Sequence, residues 1–372
     1  MKKIIAISVL FMLILTGCKN TNNKENISDN NEADIRFINY DTNCYGNGMI
    51  YGNNPAMFLD FDNMITSPLC AMPNCTHTTS ECLGQIIGDT PIMINDEIYY
   101  FIKNGTFGNG EFIETPDGPE FNMSSKLMKA SVASSETEVV CEFNDALPRD
   151  SGYVIVDSLI YFTAYNPDPE INEAGIGPLR GGGGYEYLCS IDIKTGKYTN
   201  YGSICYVEEE YPSADKSSHS FISGFYKGKI YITYGFTKEE YNHTESTTPP
   251  EFTFYNFEFD IKNKSLIESN LPHALYADNN TYIYNDKENC RTVVINEDKT
   301  YSIDYSTKDT AVRFFDNIVF FSDFWYDIIN ERSYDRKNKS YCTINTYYDD
   351  YYIIQQESEF LKLTEKELLT LE

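Results

Sequence analysis

One phrase recurs along the chain and limits what it can fold into. A turn of Asn, Asp, Gly or Lys leads into a run of Ile, Val, Tyr and Phe, and polar residues end the run. The copies are NDEIYYFIKNG (95–105), VDSLIYFTAYN (156–166), KGKIYITYGF (227–236), ADNNTYIYND (277–286), FDNIVFFSDF (315–324) and YDDYYIIQQES (348–358). Short β-branched and aromatic runs bounded by turn residues read as strands. A second set of strands follows: SKLMKASVAS (125–134), YEYLCSIDIKTGKY (185–198), FTFYNFEFDIKNKSL (252–266), RTVVINEDKTYSIDY (291–305), SYCTINTYY (340–348) and EFLKLTEKELL (359–369). IDIKTGKY and FDIKNKSL are near-copies with a tight return between strands. Candidate helices such as TEKELLTLE are short.

Repeats of this size built from strands alone point to a β-propeller, with about four strands per blade. The expected fold class is all-β, a single propeller over residues 40–372. Six blades are favoured, with seven as the alternative and a pair of β-sandwiches as the runner-up fold. Both ends look incomplete, so residues 45–69 and the last strands are expected to pair into one blade and close the ring. The long units carry Gly-, Pro- and Glu-rich insertions at 104–124, 165–184 and 237–251, which read as rim loops. Insertions on one face of a repeat fold often form its binding surface.

The N-terminus reads MKKIIAISVLFMLILTGCKN. Lys2 and Lys3 precede an apolar run, Ile4 to Leu15, that is too short to span as a helix. Leu15-Thr16-Gly17-Cys18 has the form of a lipobox, with Cys18 as the acylated residue. Residues 1–17 are therefore read as a lipoprotein signal peptide and 18–39 as the acylated cysteine and a flexible tether. A diacylglyceryl group on Cys18 brings two acyl chains, each buried methylene being worth about 0.8 kcal/mol, enough for stable anchoring. This places the protein at the cell membrane, lipid-anchored and facing the extracytoplasmic side.

The formal net charge is −27. No basic footprint offsets phosphate, so nucleic acid is excluded as a partner. Tyr (31) and Phe (23) far outnumber Trp (1), which favours pleated surfaces over helices. Beyond Cys18 the cysteine count is odd, so at least one thiol is unpaired or ligates something.

Cys70, Cys75, His77 and Cys82 fall within one short stretch, SPLCAMPNCTHTTSECLGQ. Four donors of thiolate and imidazole type match a closed structural zinc site. Pro73-Asn74 favours a turn that folds Cys70 back toward Cys75. A disulfide clip, Cys70–Cys82 or Cys70–Cys75, stands beside the zinc reading, as do thiols simply packed beneath a rim loop. In each case the stretch pins a loop between the first two blades.

The units IYYF…LMKA, IYFT…LCSIDIKTGK and IYIT…FEFDIKNKS resemble the uncharacterised propeller domain of Firmicutes lipoproteins. That domain is distantly similar to the YWTD propellers of low-density-lipoprotein receptors and to TolB-like propellers. The resemblance covers about residues 40–370 and extends to Leu69-Cys70, Pro73-Asn74-Cys75-Thr76-His77 and Cys82. It implies the fold and the anchorage, and no activity.

No GxSxG, HExxH or P-loop is present. GIGPLRGGGGYEY (175–187) lacks dinucleotide spacing and reads as a rim loop. His219, His243 and His273 are isolated, and Asp60-Phe61-Asp62-Asn63 reads as a turn, not a calcium loop. The leading expectation is a non-enzymatic module that binds an unknown protein, peptide or glycan. The alternatives are a carbohydrate-active or other hydrolytic enzyme using carboxylates in the channel, and an envelope-assembly scaffold.

Overall fold

The computed structural model describes residues 35–369 apart from 39–43, 53–54, 71, 80–81, 87–90, 95–96, 104–111, 116–117, 122–123, 132–133, 135, 168–183, 207–217, 238–251, 287, 305–312, 322–323, 336–341 and 357–358. Cys18 and the stretch 1–17 expected to be a signal peptide lie outside the described residues. So do His243 and most of the insertions at 165–184 and 237–251.

After a lone strand β1 (Ile35–Ile38), the strands fall into seven antiparallel blades. Blade 1 holds β2 (Cys44–Tyr45), β3 (Gly48–Tyr51), β4 (Met57–Asp60) and β5 (Ile65–Pro68). A one-turn helix α1 (Leu83–Ile86) follows. Blade 2 holds β6 (Ile92–Ile94), β7 (Glu97–Lys103), β10 (Ser125–Ser131) and β11 (Thr137–Phe143), with a hairpin insertion, β8 (Phe112–Thr115) and β9 (Gly118–Phe121). Blade 3 holds β12 (Leu147–Val156), β13 (Leu159–Pro167), β14 (Gly184–Asp192) and β15 (Lys197–Tyr206). Blade 4 holds β16 (Ser218–Tyr226), β17 (Lys229–Thr237), β18 (Phe252–Asp260) and β19 (Ser265–Glu268). Blade 5 holds β20 (Ala274–Ala277), β21 (Thr281–Asp286), β22 (Arg291–Asn296) and β23 (Lys299–Asp304). Blade 6 holds β24 (Arg313–Phe315), β25 (Ile318–Phe320), β26 (Phe324–Asp327) and β27 (Arg332–Asp335). Blade 7 holds β28 (Cys342–Tyr348), β29 (Tyr351–Gln356) and β30 (Glu359–Leu363), followed by helix α2 (Glu365–Leu369). Thr364 and Glu367 cap α2 reciprocally: Glu367 N–H donates to Thr364 Oγ1 at 3.3 Å, and Thr364 N–H to Glu367 Oε2 at 2.9 Å.

The six recurring phrases are the second strands of blades 2 to 7. The favoured count of six is corrected to seven because residues 44–68 form a four-stranded blade of their own, in which β3 is a further copy, cut short to Met49-Ile50-Tyr51 between glycines. The ring does not close by pairing terminal strands. The strands of blades 1 and 7 pair only within their own sheets, among the described residues. The seam is made by side chains instead. Met49, Leu59, Phe61 and Ile353 share one core, and Tyr51 meets Phe360 edge-on at 4.8 Å. Tyr348 donates to Asp62 Oδ1 at 3.2 Å, and Lys362 Nζ donates to the Phe61 carbonyl at 3.2 Å. One strand partner is also corrected. β25 pairs with β26, whereas Cys342–Tyr348 opens blade 7.

Second strands are buried on both faces, which explains why their apolar runs do not alternate with polar residues. Successive residues of a strand point to opposite sides, and here each side is a different interblade core. Ile160 and Phe162 pack toward blade 2, while Tyr161 packs toward blade 4. Ile230 and Ile232 pack toward blade 3, while Tyr231 packs on Tyr282 of blade 5, ring centres 5.0 Å apart. Ile318 and Phe320 meet Tyr352 and Ile354 of blade 7, while Val319 faces blade 5. Each run thus serves two cores at once.

Turns between third and fourth strands share one device in blades 1, 3, 4 and 6. An Asp carboxylate accepts from the residue three positions on: Asp60 from Asn63, Asp192 from Thr195, Asp260 from Asn263, Asp327 from Asn330. The next residue turns left-handed: Met64, Gly196, Lys264 and Glu331. The side chain just after each Asp is apolar and tucks inward; Phe61 and Ile328 are fully buried. The likeness of IDIKTGKY and FDIKNKSL is therefore part of a wider pattern that includes LDFDNMI and YDIINER. Asp60-Phe61-Asp62-Asn63 is one such turn.

β1 pairs antiparallel with β12, the first strand of blade 3, on the side facing the ring centre. Ile35 and Phe37 pack with the blade 3–4 core, and Ile38 packs with the blade 2–3 core. Arg36 reaches the Met93 carbonyl of β6 at 3.5 Å. Gly152 makes room: a Cβ there would lie 2.9 Å from the Ile222 carbonyl and 3.3 Å from the Phe37 ring. The folded unit thus starts at Ile35, inside the stretch expected to be tether.

Candidate metal centre

The strand order gives the ring two faces. Turns joining first to second and third to fourth strands lie on one, called here the turn face. Links from second to third strands, and from blade to blade, lie on the other, the loop face. The insertions at 104–124, 165–184 and 237–251 all join second to third strands, in blades 2, 3 and 4. The strand ends that flank them therefore share the loop face.

The Cys/His stretch is the link from blade 1 to blade 2, also on the loop face. Cys70 lies two residues past the end of β5, after the buried Leu69. Asn74 and His77 are left-handed, with φ of 60° and 57°, and the Cys75 N–H bonds to the Met72 carbonyl at 3.3 Å. This tight path returns the chain on itself. Cys82 sits just before α1 and is fully buried, its N–H bonded to the Thr79 carbonyl at 3.0 Å. Gln85 Nε2 donates to the His77 carbonyl at 2.5 Å and holds the loop against the helix.

The ligand atoms of Cys70, Cys75, His77 and Cys82 all lie within 4.8 Å of one another. Cys82 Sγ is 3.5 Å from His77 Nδ1. A tetrahedral zinc–thiolate site has Zn–S bonds of about 2.3 Å, hence sulfurs roughly 3.8 Å apart. The four residues fit such an ion, and four protein donors leave no open position for substrate. Cys70, Cys75 and Cys82 are free thiols. Burial pushes the Cys70 thiol up, but hydrogen bonds from the Met72 backbone, Cys82, Cys75 and the Leu83 backbone outweigh it and leave Cys70 below the usual thiol range. Burial, reinforced by the neighbouring Cys70 and Cys75, pushes Cys82 up to about 11.

A second group on the loop face went unread in the sequence. Glu186 is fully buried on β14. Arg149 of β12 grips its carboxylate through Nε and Nη2, and Ser220 of β16 donates to Oε2 at 2.6 Å. Arg149 also lies over the Tyr165 ring, 4.6 Å from its centre. Thr163 donates to the Ser220 carbonyl at 3.2 Å, so blades 3 and 4 are tied at this end. Burial pushes the Glu186 carboxyl up, with Arg149 and Ser220 opposing. The readable signal was a Glu inside the run Tyr185-Glu186-Tyr187-Leu188. A carboxylate between strand aromatics requires a partner when buried.

His273, expected to stand alone, does not. Thr233 Oγ1 is 2.8 Å from its Nδ1, Phe254 stacks on its ring at 5.5 Å, and Phe221 meets it edge-on. Phe254 and Tyr255, just beyond the insertion 237–251, are each 42% exposed. The side chain of His219 lies outside the described residues.

No family model matches the chain, and no curated protein matches it in sequence. Solved structures match in shape at low identity. Oligogalacturonate lyase from Vibrio parahaemolyticus is 10% identical over 87% of this chain and 88% of its own, with a TM-score of 0.44. Acylaminoacyl peptidase from Pyrococcus horikoshii is 9% identical over 87% of this chain and 51% of its own, TM-score 0.35. Sqt1 from Saccharomyces cerevisiae is 8% identical over 80% of this chain and 86% of its own, TM-score 0.27. The propeller is fixed by strand order and cores, and these likenesses add no function.

Proposed function

We propose that this chain is a membrane-anchored extracytoplasmic lipoprotein, acylated at Cys18, whose propeller binds a protein, peptide or glycan on its loop face. The reading rests above all on one observation: the long insertions of three consecutive blades emerge on the same side of the ring. Exposed Phe254 and Tyr255 beside one of them supply apolar contact area. The lipobox Leu15-Thr16-Gly17-Cys18 supports the anchorage, as does the resemblance of the repeat units to Firmicutes lipoprotein propellers. Among the described residues, no helix is long and apolar enough to cross a membrane. On this reading the Cys70, Cys75, His77 and Cys82 cluster is a closed structural zinc centre.

The enzyme alternative needs two facing carboxylates in one pocket. The buried carboxylate with a raised pKa on the loop face, Glu186, is already committed to Arg149 and Ser220. The ring centre beside blade 3 is taken up by β1. These two places offer hydrolysis no free pair; on the turn face burial and neighbouring carboxylates raise Asp316 and Glu365, and Asp278 and Asp316 line one cavity, where the hydrolytic alternative would have to act.

The test is site-specific photo-crosslinking in intact cells. A photoreactive residue at Tyr255 on the loop face is compared with one at Lys227 on the turn face. Adducts at 255 and none at 227 are expected. Adducts at 227 alone, or at neither position, count against the loop face. Cys18→Ser is expected to move the protein from the membrane to the soluble fraction; retention in the membrane sinks the lipid anchor.

A further inference from the structure

We propose that one thiophilic divalent ion, held by Cys70, Cys75, His77 and Cys82, fastens blade 1 to blade 2 and so keeps the ring closed between blades 7 and 1. The inference rests on the metal reading of the cluster and adds to it a role in the architecture.

The backbone is arranged for metal thiolates. Cys75 Sγ accepts the His77 N–H at 3.3 Å. Cys82 Sγ lies 3.5 Å from His77 Nδ1, and the three sulfurs and the imidazole all lie within 4.8 Å of one another, the set that a single thiophilic ion would gather. A disulfide uses two sulfurs and has no need of the third thiol or the imidazole.

The fastened blade is built of short strands, two to four residues long, and β5 leaves Ile65, Thr66 and Ser67 exposed. Among the described residues no terminal strand secures it to blade 7. The linker carrying the cluster folds back over it instead. Ala56 N–H donates to the Gly84 carbonyl at 2.7 Å, and Leu69 N–H donates to the Ala56 carbonyl at 2.9 Å. A Cβ at Gly84 would press on the Ala56 carbonyl and Pro55 at 3.2 Å, so the linker lies flush against blade 1. Ala56, Leu69 and Leu83 are buried in one core with Ile92 and Ile98 of blade 2. The linker's own order depends on a single helical turn and two left-handed non-glycine residues. Conformations of this kind persist only where the surroundings impose them, and an ion bound to both ends of the linker does so.

The experiment uses the full chain purified in detergent. Bound metal is measured by elemental mass spectrometry, and hydrogen exchange is followed before chelation, after chelation and after zinc is returned. About one zinc per chain is expected. On chelation, residues 44–68 and 348–363 should exchange about tenfold faster, residues 218–268 should not change, and zinc should restore protection. A chain without metal overturns the metal reading and this inference together. A bound ion whose removal loosens only residues 69–86 overturns the fastener and leaves the metal centre standing. Because Cys82→Ser changes a fully buried side chain and so tests folding as well as ligation, His77→Cys is tested beside it. That variant keeps four soft donors and should hold the ion with blade 1 exchange within about twofold of the parent chain; a folded His77→Cys chain that binds no ion also overturns the proposal.

Discussion

The two faces of this propeller are built by opposite strategies. The turn face repeats one cheap local device. Asp60, Asp192, Asp260 and Asp327 each close a turn with hydrogen bonds spanning three residues. Lys227-Gly228 and Asp349-Asp350 close two-residue hairpins with both residues left-handed. The loop face carries one copy of that device, Asp286 with Asn289 and a left-handed Cys290, but concentrates single features: the Cys3His cluster, the Arg149–Glu186–Ser220 tie and the His273 aromatic group. Repetition spreads risk, because no one turn is essential. Singular features collect it, and they are also what distinguishes one propeller from another.

The largest expected difference between the faces lies at Glu186. Glu186→Ala leaves Arg149 without its buried partner and should cost about 3–5 kcal/mol in denaturant unfolding. A loss under about 1 kcal/mol would mean that the tie is ornamental. Arg149→Met combined with Glu186→Leu should recover most of that loss, since both charges leave together.

Gly152→Ala comes next. Gly152 has φ +115°, and the new Cβ would meet the Ile222 carbonyl. The expected cost is about 1–3 kcal/mol, with new protease cleavage near Ile35–Ile38. Unchanged cleavage would show that β1 does not depend on this gap.

Glu186 and the Asp-closed turns should also answer pH with opposite signs. The Glu186 carboxyl is raised by burial, so the folded chain holds that proton longer than the unfolded chain. Its contribution is present below the unfolded value and is lost as pH rises through the folded value, with a slope of at most about 1.4 kcal/mol per pH unit. Asp192 and Asp260 are held low instead. Burial at Asp192 is outweighed by donors from Lys194, Thr195 and Ser158, and Asp260 is held low chiefly by the Asn263 backbone and side chain. Their contribution is present above the unfolded value of about 3.9 and is lost as pH falls through the folded value. Unfolding curves of Glu186→Gln should lack the loss on the alkaline side, and those of Asp260→Asn should lack part of the loss on the acid side. The same slope in both variants would erase the contrast.

The smallest effect on stability belongs to the proposed contact surface. Phe254→Ala with Tyr255→Ala should change unfolding by no more than about 0.5 kcal/mol per site, while abolishing adducts from a photoreactive residue placed nearby at Asn256. Lost stability with adducts retained would make these rings packing, not recognition.

How far the sequence could be read follows the same division. Second strands such as Ile160-Tyr161-Phe162 announce themselves because both faces are buried, so every residue is apolar. The seventh copy hid because Gly48 and Gly52 trim the run to three residues, Met49-Ile50-Tyr51. Phe324–Asp327 was passed over as a strand because four residues leave little pattern to count. β1 hid behind a polar stretch, its burial decided by β12 and not by its own neighbours in sequence. Cys70, Cys75, His77 and Cys82 were legible as a group because they are close along the chain. Arg149, Glu186 and Ser220 were not, because the fold brings them together from three strands in two blades.

The position of β1 has a mechanical consequence. Covalent continuity delivers any pull exerted upstream of Ile35 to a four-residue strand at the ring's centre, not to an outer edge. The first thing to yield under such load is the ladder Ile35–Val156 to Ile38–Tyr153, together with the packing of Ile35, Phe37 and Ile38 on the cores either side of blade 3. Single-molecule pulling from the N-terminus should therefore show one small rupture well before the ring opens. In that sense the strand is a mechanical fuse, placed where its failure leaves the seven blades intact.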